Sequence, residues 1–129
     1  MKQQHLEILK QGSQSWNHWR KNYFIKEIDL SEAPLKGIDF TELDLSKLQK
    51  INLSKADLSY ANLSGVCFMN VNLSGANLNG ANLSGANLSG ADLRNASLKD
   101  ANLNKTILIG ADLTGADLNH VAINTAIFQ

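Results

Sequence analysis

From Ile28 onward the apolar positions recur with a period of five, which matches neither the 3.6 of an amphipathic helix nor the strict 2 of an exposed strand. The stretch beginning at Ile51 reads INLSK ADLSY ANLSG VCFMN VNLSG ANLNG ANLSG and continues to AIFQ, sixteen units with the last one residue short. Ile28 to Lys47 adds four more units, IDLSE APLKG IDFTE LDLSK, in a register that Leu48, Gln49 and Lys50 then shift. The third residue of every unit is Leu, Ile or Phe, from Leu30 and Leu35 to Ile123 and Phe128. Two residues before it stands a small or β-branched apolar residue, mostly Ala, with Thr106 the one polar exception and Leu43 the one large one. These two positions flank an Asn or Asp, so within a unit the chain alternates as a strand does. A strand cannot hold a period of five for long, so the chain must turn once per unit. Eight of the nine glycines fall at a unit's last position, where that corner lies, while Lys55, Tyr60 and His120 at the same position suggest that a positive φ is not required at every corner.

The segment before the repeats follows a different rule. Leu6, Leu9, Trp16, Trp19 and Tyr23 fall at helical spacings, and Gly12-Ser13 is placed to stop one short helix and N-cap another. Residues 3–22 are therefore expected to form one interrupted helix or two short ones, with these five side chains as the core of a cap over the first turn of the array. A stacked array exposes backbone edges and core at its ends, which makes such a cap necessary.

The A(N/D)LXX tandem array, over about four fifths of the chain, resembles the pentapeptide repeat family. The resemblance implies an all-β solenoid, a right-handed quadrilateral parallel β-helix in which four units make one square coil; twenty units then give about five coils, below an N-terminal α-helical cap. The expected division is a helical cap over residues 1–27 and a β-helix over 28–129, with a register shift at 48–50. The WNHWR stretch, Trp16 to Arg20, resembles segments that precede such arrays in some cyanobacterial proteins. In this fold the aliphatic centres fill a narrow lumen, so no ligand cavity is expected inside it.

Dealing the units in fours, with Leu48–Lys50 bulging at one corner, assigns each unit to a face. Three faces present columns such as Asn62, Asn82 and Asn102, whose stacked amides are expected to bond to one another. The fourth carries Cys67, Met69, Ile107, Ile109 and Ile127 where other units hold polar residues, and its outward surface is expected to be apolar. The last units read VAINTAIFQ, with Val121, Ile123 and Phe128 expected on an uncapped coil. A second copy packed against that end, or against the apolar face, is the expected partner, giving a homodimer.

Charge narrows the remaining choices. Twelve Lys and Arg balance twelve Asp and Glu, so nothing draws the protein to nucleic acid or to an anionic membrane surface, and no stretch approaches a membrane span. A single cysteine rules out an internal disulfide framework, and the N-terminus lacks the apolar core of a secretory signal; a reducing cytoplasmic location is expected. No phosphate-cradling loop, nucleophile elbow, HExxH or paired CxxC occurs, and Cys67 has neither a partner cysteine nor an adjacent histidine. His5, His18 and His120 lie in separate regions, while Asp29, Asp39 and Asp44 point outward from successive faces; only the His18 and Asp29 neighbourhood hints at a catalytic pair. No cofactor, metal or enzymatic activity is expected. The sequence reads as a non-enzymatic interaction scaffold or regulator whose partner is an unidentified protein. The resemblance supplies an alternative, because some members of the family mimic a DNA duplex and bind type II topoisomerases such as DNA gyrase. That role calls for a dense negative surface, whereas residues 28–129 hold ten acidic and seven basic side chains.

Overall fold

A computed structural model describes residues 1–129. Two helices, α1 (Gln3–Lys10) and α2 (Ser13–Asn22), precede the repeats. Strand β1 (Glu27–Asp29) pairs in parallel with β2 (Lys50–Asn52), and a 3-10 turn covers Ile123–Thr125. Between these, the units pair through isolated parallel bridges at the Asn/Asp position, the unit Leu43–Lys47 being an exception with no bridge at Asp44. The bridges line up in columns, as in Pro34, Asp57, Asn77, Ser97 and Asp117. The first step of that column is 23 residues, Pro34 to Asp57, and the next is 20, Asp57 to Asn77, so Leu48–Lys50 is absorbed between the first and second turns of the chain.

The hydrogen bonds explain why five residues suffice. The second residue of a unit donates backward, as Asn77 N does to Ala56 O at 2.9 Å; the third and fifth donate forward, as Leu78 N does to Ser97 O at 2.7 Å and Gly80 N to Lys99 O at 2.9 Å. In the regular part of the array these three groups thus find a partner one turn above or below, and the first residue's N–H closes the corner within its own turn, as Ala81 N does to Leu78 O, which is what burial of the side chains requires. All the centres from Leu53 to Leu98 are fully buried, each stabilising the fold by about 1.5–3 kcal/mol. Thr106, the polar intruder, is also fully buried, and its hydroxyl donates to Leu83 O at 2.6 Å.

Several sequence expectations need correction. Positive φ is the rule at the corners: Lys55, Tyr60 and His120 adopt it at 58°, 60° and 63°, as does the last residue of every complete unit except Glu42 and Thr125. The corner must turn the chain while aiming its N–H at the next coil, and the left-handed conformation does both, at a cost of about 1–2 kcal/mol for an L-residue. Most of the Asn columns are not amide ladders either. Asn82 Oδ1 accepts from Ser84 N at 3.0 Å and Ser84 Oγ at 2.7 Å, and Asn52, Asn62, Asn72 and Asn87 likewise bond the residue two positions on. A side-chain oxygen that closes its own corner is not free to bond its neighbour in the stack. Asn79 differs, bridging to Lys99 N and Ser97 Oγ of the next coil.

The VAINT unit leaves the pattern. Ile123 lies in the 3-10 turn and is exposed rather than pointing into the lumen. Ala122 stands at the Asn/Asp position and has no side-chain oxygen to close the corner. Pairing resumes at Ile127, which bridges Ile107.

The helices meet the first coil through its backward-facing groups. Asp29 N donates to His5 Nδ1 at 3.1 Å and Lys2 N to Asp29 O at 3.0 Å. Asp44 N donates to Asn17 Oδ1 at 2.7 Å, while Trp16 Nε1 and Arg20 Nε reach Asp44 O. Pro34, which has no N–H to satisfy, occupies the same edge. Leu6, Leu9, Trp16 and Trp19 join the main core cluster, with the Trp16 and Trp19 rings 5.2 Å apart. Tyr23 does not: it follows the end of α2 in extended conformation and is 60% exposed. Gly12, not Ser13, is the N-cap of α2, and it provides no side-chain bond.

Candidate interaction surface

The fourth face is built on the bridge column Cys67, Asn87, Ile107 and Ile127. Outward residues on a strand alternate with the lumen residues, so the side chain of each bridge residue and of the residue two later face solvent. The apolar character is not continuous along this column. Asn87 and Ser89 interrupt it, with Asn87 Oδ1 accepting from Ser89 Oγ at 2.7 Å, and leave two separate patches. One comprises Cys67, a free thiol, and Met69, 54% exposed. The other is larger: Ile107 is stacked on Ile127, and Ile109 (46% exposed), Ile127 and Phe128 are open to solvent, with Ile123 also exposed. Val121 is half-buried against the core. Clustered exposed isoleucines at positions that are polar in most units are unfavourable for a free surface and suit a contact.

The ionisable groups are arranged for structure. The Ser46 hydroxyl and N–H hold the Asp44 carboxyl below its usual range, helped by Arg20 and Lys47. The Ser59 hydroxyl does the same for Asp57, and the Arg94 guanidinium, at 2.6 Å from Asp92 Oδ2, for Asp92. His5 is almost wholly buried, and burial lowers its pKa, as does Lys2; Asp29 opposes the shift. The neighbour of Asp29 is therefore His5, whereas His18 is exposed on α2 and bonds only Asn22. His120 is paired with Asp100 at 3.3 Å on the surface. No helix is long and apolar enough to cross a membrane.

Comparison with known proteins places this architecture in context. The family profile described as pentapeptide repeats matches in 8 copies, over residues 46–75, 76–115 and 91–129. No curated protein matches the sequence. Among solved structures, HetL of Nostoc sp. strain PCC 7120, a pentapeptide repeat protein involved in heterocyst differentiation regulation, is 38% identical over 78% of this chain and 48% of its own, with a TM-score of 0.37. Another pentapeptide repeat protein of Nostoc PCC 7120 is 32% identical over 87% of this chain and 80% of its own, with a TM-score of 0.41. QnrB1, a plasmid-mediated fluoroquinolone resistance protein, is 27% identical over 73% and 51%, with a TM-score of 0.49. The chain spans about half the length of HetL and of QnrB1.

Proposed function

The chain belongs to the pentapeptide repeat family, whose members form right-handed β-helices, and on that premise we propose that it is a non-enzymatic scaffold or regulator that works by binding protein. In this reading residues 1–27 are a helical cap and residues 28–129 a β-helix of about five coils, with the register shift at 48–50. The observation that carries the proposal is the apolar patch of half-buried Ile107 with exposed Ile109 and Ile127, which replaces the polar residues found at these positions in most units. Val121, Ile123 and Phe128 extend the same apolar character to the adjoining end. The protein partner on this side is a second copy, meeting the patch about a twofold axis. The lone thiol of Cys67 is in keeping with a reducing, cytoplasmic setting.

The test is sedimentation at tens of micromolar, comparing the wild type with the I107N/I109N double variant. The expected result is a dimer that the substitutions dissociate into a monomer that still unfolds cooperatively. A monomeric wild type contradicts the dimer reading. The near-even charge of the array does not favour duplex mimicry, and a gyrase supercoiling assay is expected to be unaffected by added protein.

A further inference from the structure

The column of the fourth face is broken at its first step. The pattern of the other faces calls for Leu45 N and Lys47 N to donate to Cys67 O and Met69 O, and for Cys67 N to donate to Leu43 O; none of these bonds is made, and the bond from Glu42 N to Ser64 O is also missing. The cause is visible on both sides. Asn17, Trp16 and Arg20 of α2 hold Glu42, Asp44 and Ser46 by their backward-facing groups, and the three extra residues Leu48–Lys50 lengthen the chain at the adjoining corner. Between Leu43–Ile51 and Ser64–Asn70 lies an open cavity of about 660 Å³. The lumen beneath stays closed, because Phe40 and Phe68 meet edge to face with centroids 5.6 Å apart.

Two strand edges facing each other across a cavity, with donors and acceptors at every second residue, define what can fill it. We propose that this slot receives an extended peptide segment of a partner protein, which adds its backbone as an inserted strand between the first and second coils. One side of the peptide would pair with Leu43 O, Leu45 N and Lys47 N, and the other with Cys67 N, Cys67 O and Met69 O, the logic of β-strand addition with two edges in place of one. Leu45, Leu48 and Met69 supply apolar surface for its side chains. Lys47 and Lys50 line the cavity without a direct ion pair, and the Asp44 carboxylate, bonded by Ser46, offsets only one of their two charges. The segment that fits is therefore short, extended and apolar at alternate positions, with acidic residues at the lysine end.

The proposal rests on the protein-binding reading above but uses a different surface, so the two can fail separately. A random octapeptide display library is selected on the wild-type protein and counter-selected on the K47E/K50E double variant, whose folding is checked by its melting curve. Enriched peptides are expected to carry acidic residues beside alternating apolar ones and to slow hydrogen exchange at Leu45, Lys47 and Cys67. They are also expected to slow alkylation of Cys67 about tenfold or more, to lose binding by a similar factor when their backbone is N-methylated, and to bind the I107N/I109N variant unchanged. A library that yields no binder overturns the proposal, as do binders that leave those three amides unprotected or survive N-methylation. Binders lost in I107N/I109N overturn the slot while supporting the apolar patch.

Discussion

The middle of the array and the unit that closes its first coil, Leu43–Lys47, are written in nearly the same five-residue text, yet they fold to different standards. From Leu53 to Leu98 every centre is completely buried, and each bridge position there is paired with the coil that follows it. Around Leu43–Lys47 the centre Leu45 is only half-buried, and forward pairing is lost. The five-residue text fixes which side chains point inward, and pairing survives even the 23-residue step from Pro34 to Asp57, but it fails in the unit that directly adjoins the insertion. Three additional residues and a helix that holds the other edge are enough to suspend it.

The largest effect that would test this contrast is in the lumen. Leu83→Asp is expected to abolish cooperative folding, and Leu83→Ala to cost about 3–5 kcal/mol, whereas Leu45→Ala should cost about 1–2 kcal/mol, read from denaturant melts. Equal losses at both sites would remove the distinction. Corners come next. Lys105→Gly relieves a left-handed L-residue at φ 58° and should raise stability by about 0.5–1 kcal/mol. Gly85→Ala should lower it by about 1 kcal/mol although a Cβ there meets open space, which would separate backbone strain from steric clash. Thr106→Val should change stability by less than about 1 kcal/mol, because Leu83 O keeps the bond donated by Ala86 N.

The smallest effect concerns the helical end. Lowering of the His5 pKa means that the unfolded chain binds the extra proton first. The contribution of neutral His5 is therefore complete above its ordinary value of about 6.5 and declines as pH falls through the lower folded value. Melting temperature should fall between pH 7.5 and 5.5 in the wild type and fall less in a His5→Gln variant. An identical pH profile in the two would assign the acid sensitivity to other groups.

Much of the architecture was legible because the repeat is a direct record of burial. The inward positions, the corner glycines and the insertion at 48–50 follow from one period. Less visible was what the polar residues do. The N-L-S triplets look like stackable amides, yet a serine two residues after an Asn is also the signature of a side chain closing its own turn, and the local bond wins. Positive φ at Lys55 and Tyr60 was hidden because the stack imposes it on residues that do not prefer it. Helix spacing groups Trp16, Trp19 and Tyr23 alike, yet only the two tryptophans are buried, because Tyr23 lies one residue beyond the last turn. On the fourth face, grouping by column concealed that Asn87 and Ser89 split the apolar strip. Leu43, the one large residue unbranched at Cβ in a position otherwise small or β-branched, was the sequence signal of the irregular fourth unit, but its meaning depends on how α2 grips Glu42, Asp44 and Ser46, which no local pattern encodes.

Amide hydrogen exchange within one column tests the central contrast most directly. Cys67 N has no acceptor, while Asn87 N, Ile107 N and Ile127 N donate to Val66 O, Ala86 O and Thr106 O at 2.8–2.9 Å. Cys67 is expected to exchange orders of magnitude faster than Asn87 in the free native protein. Protection at Cys67 equal to that at Asn87 would show a closed, regular stack from the first coil onward and contradict it.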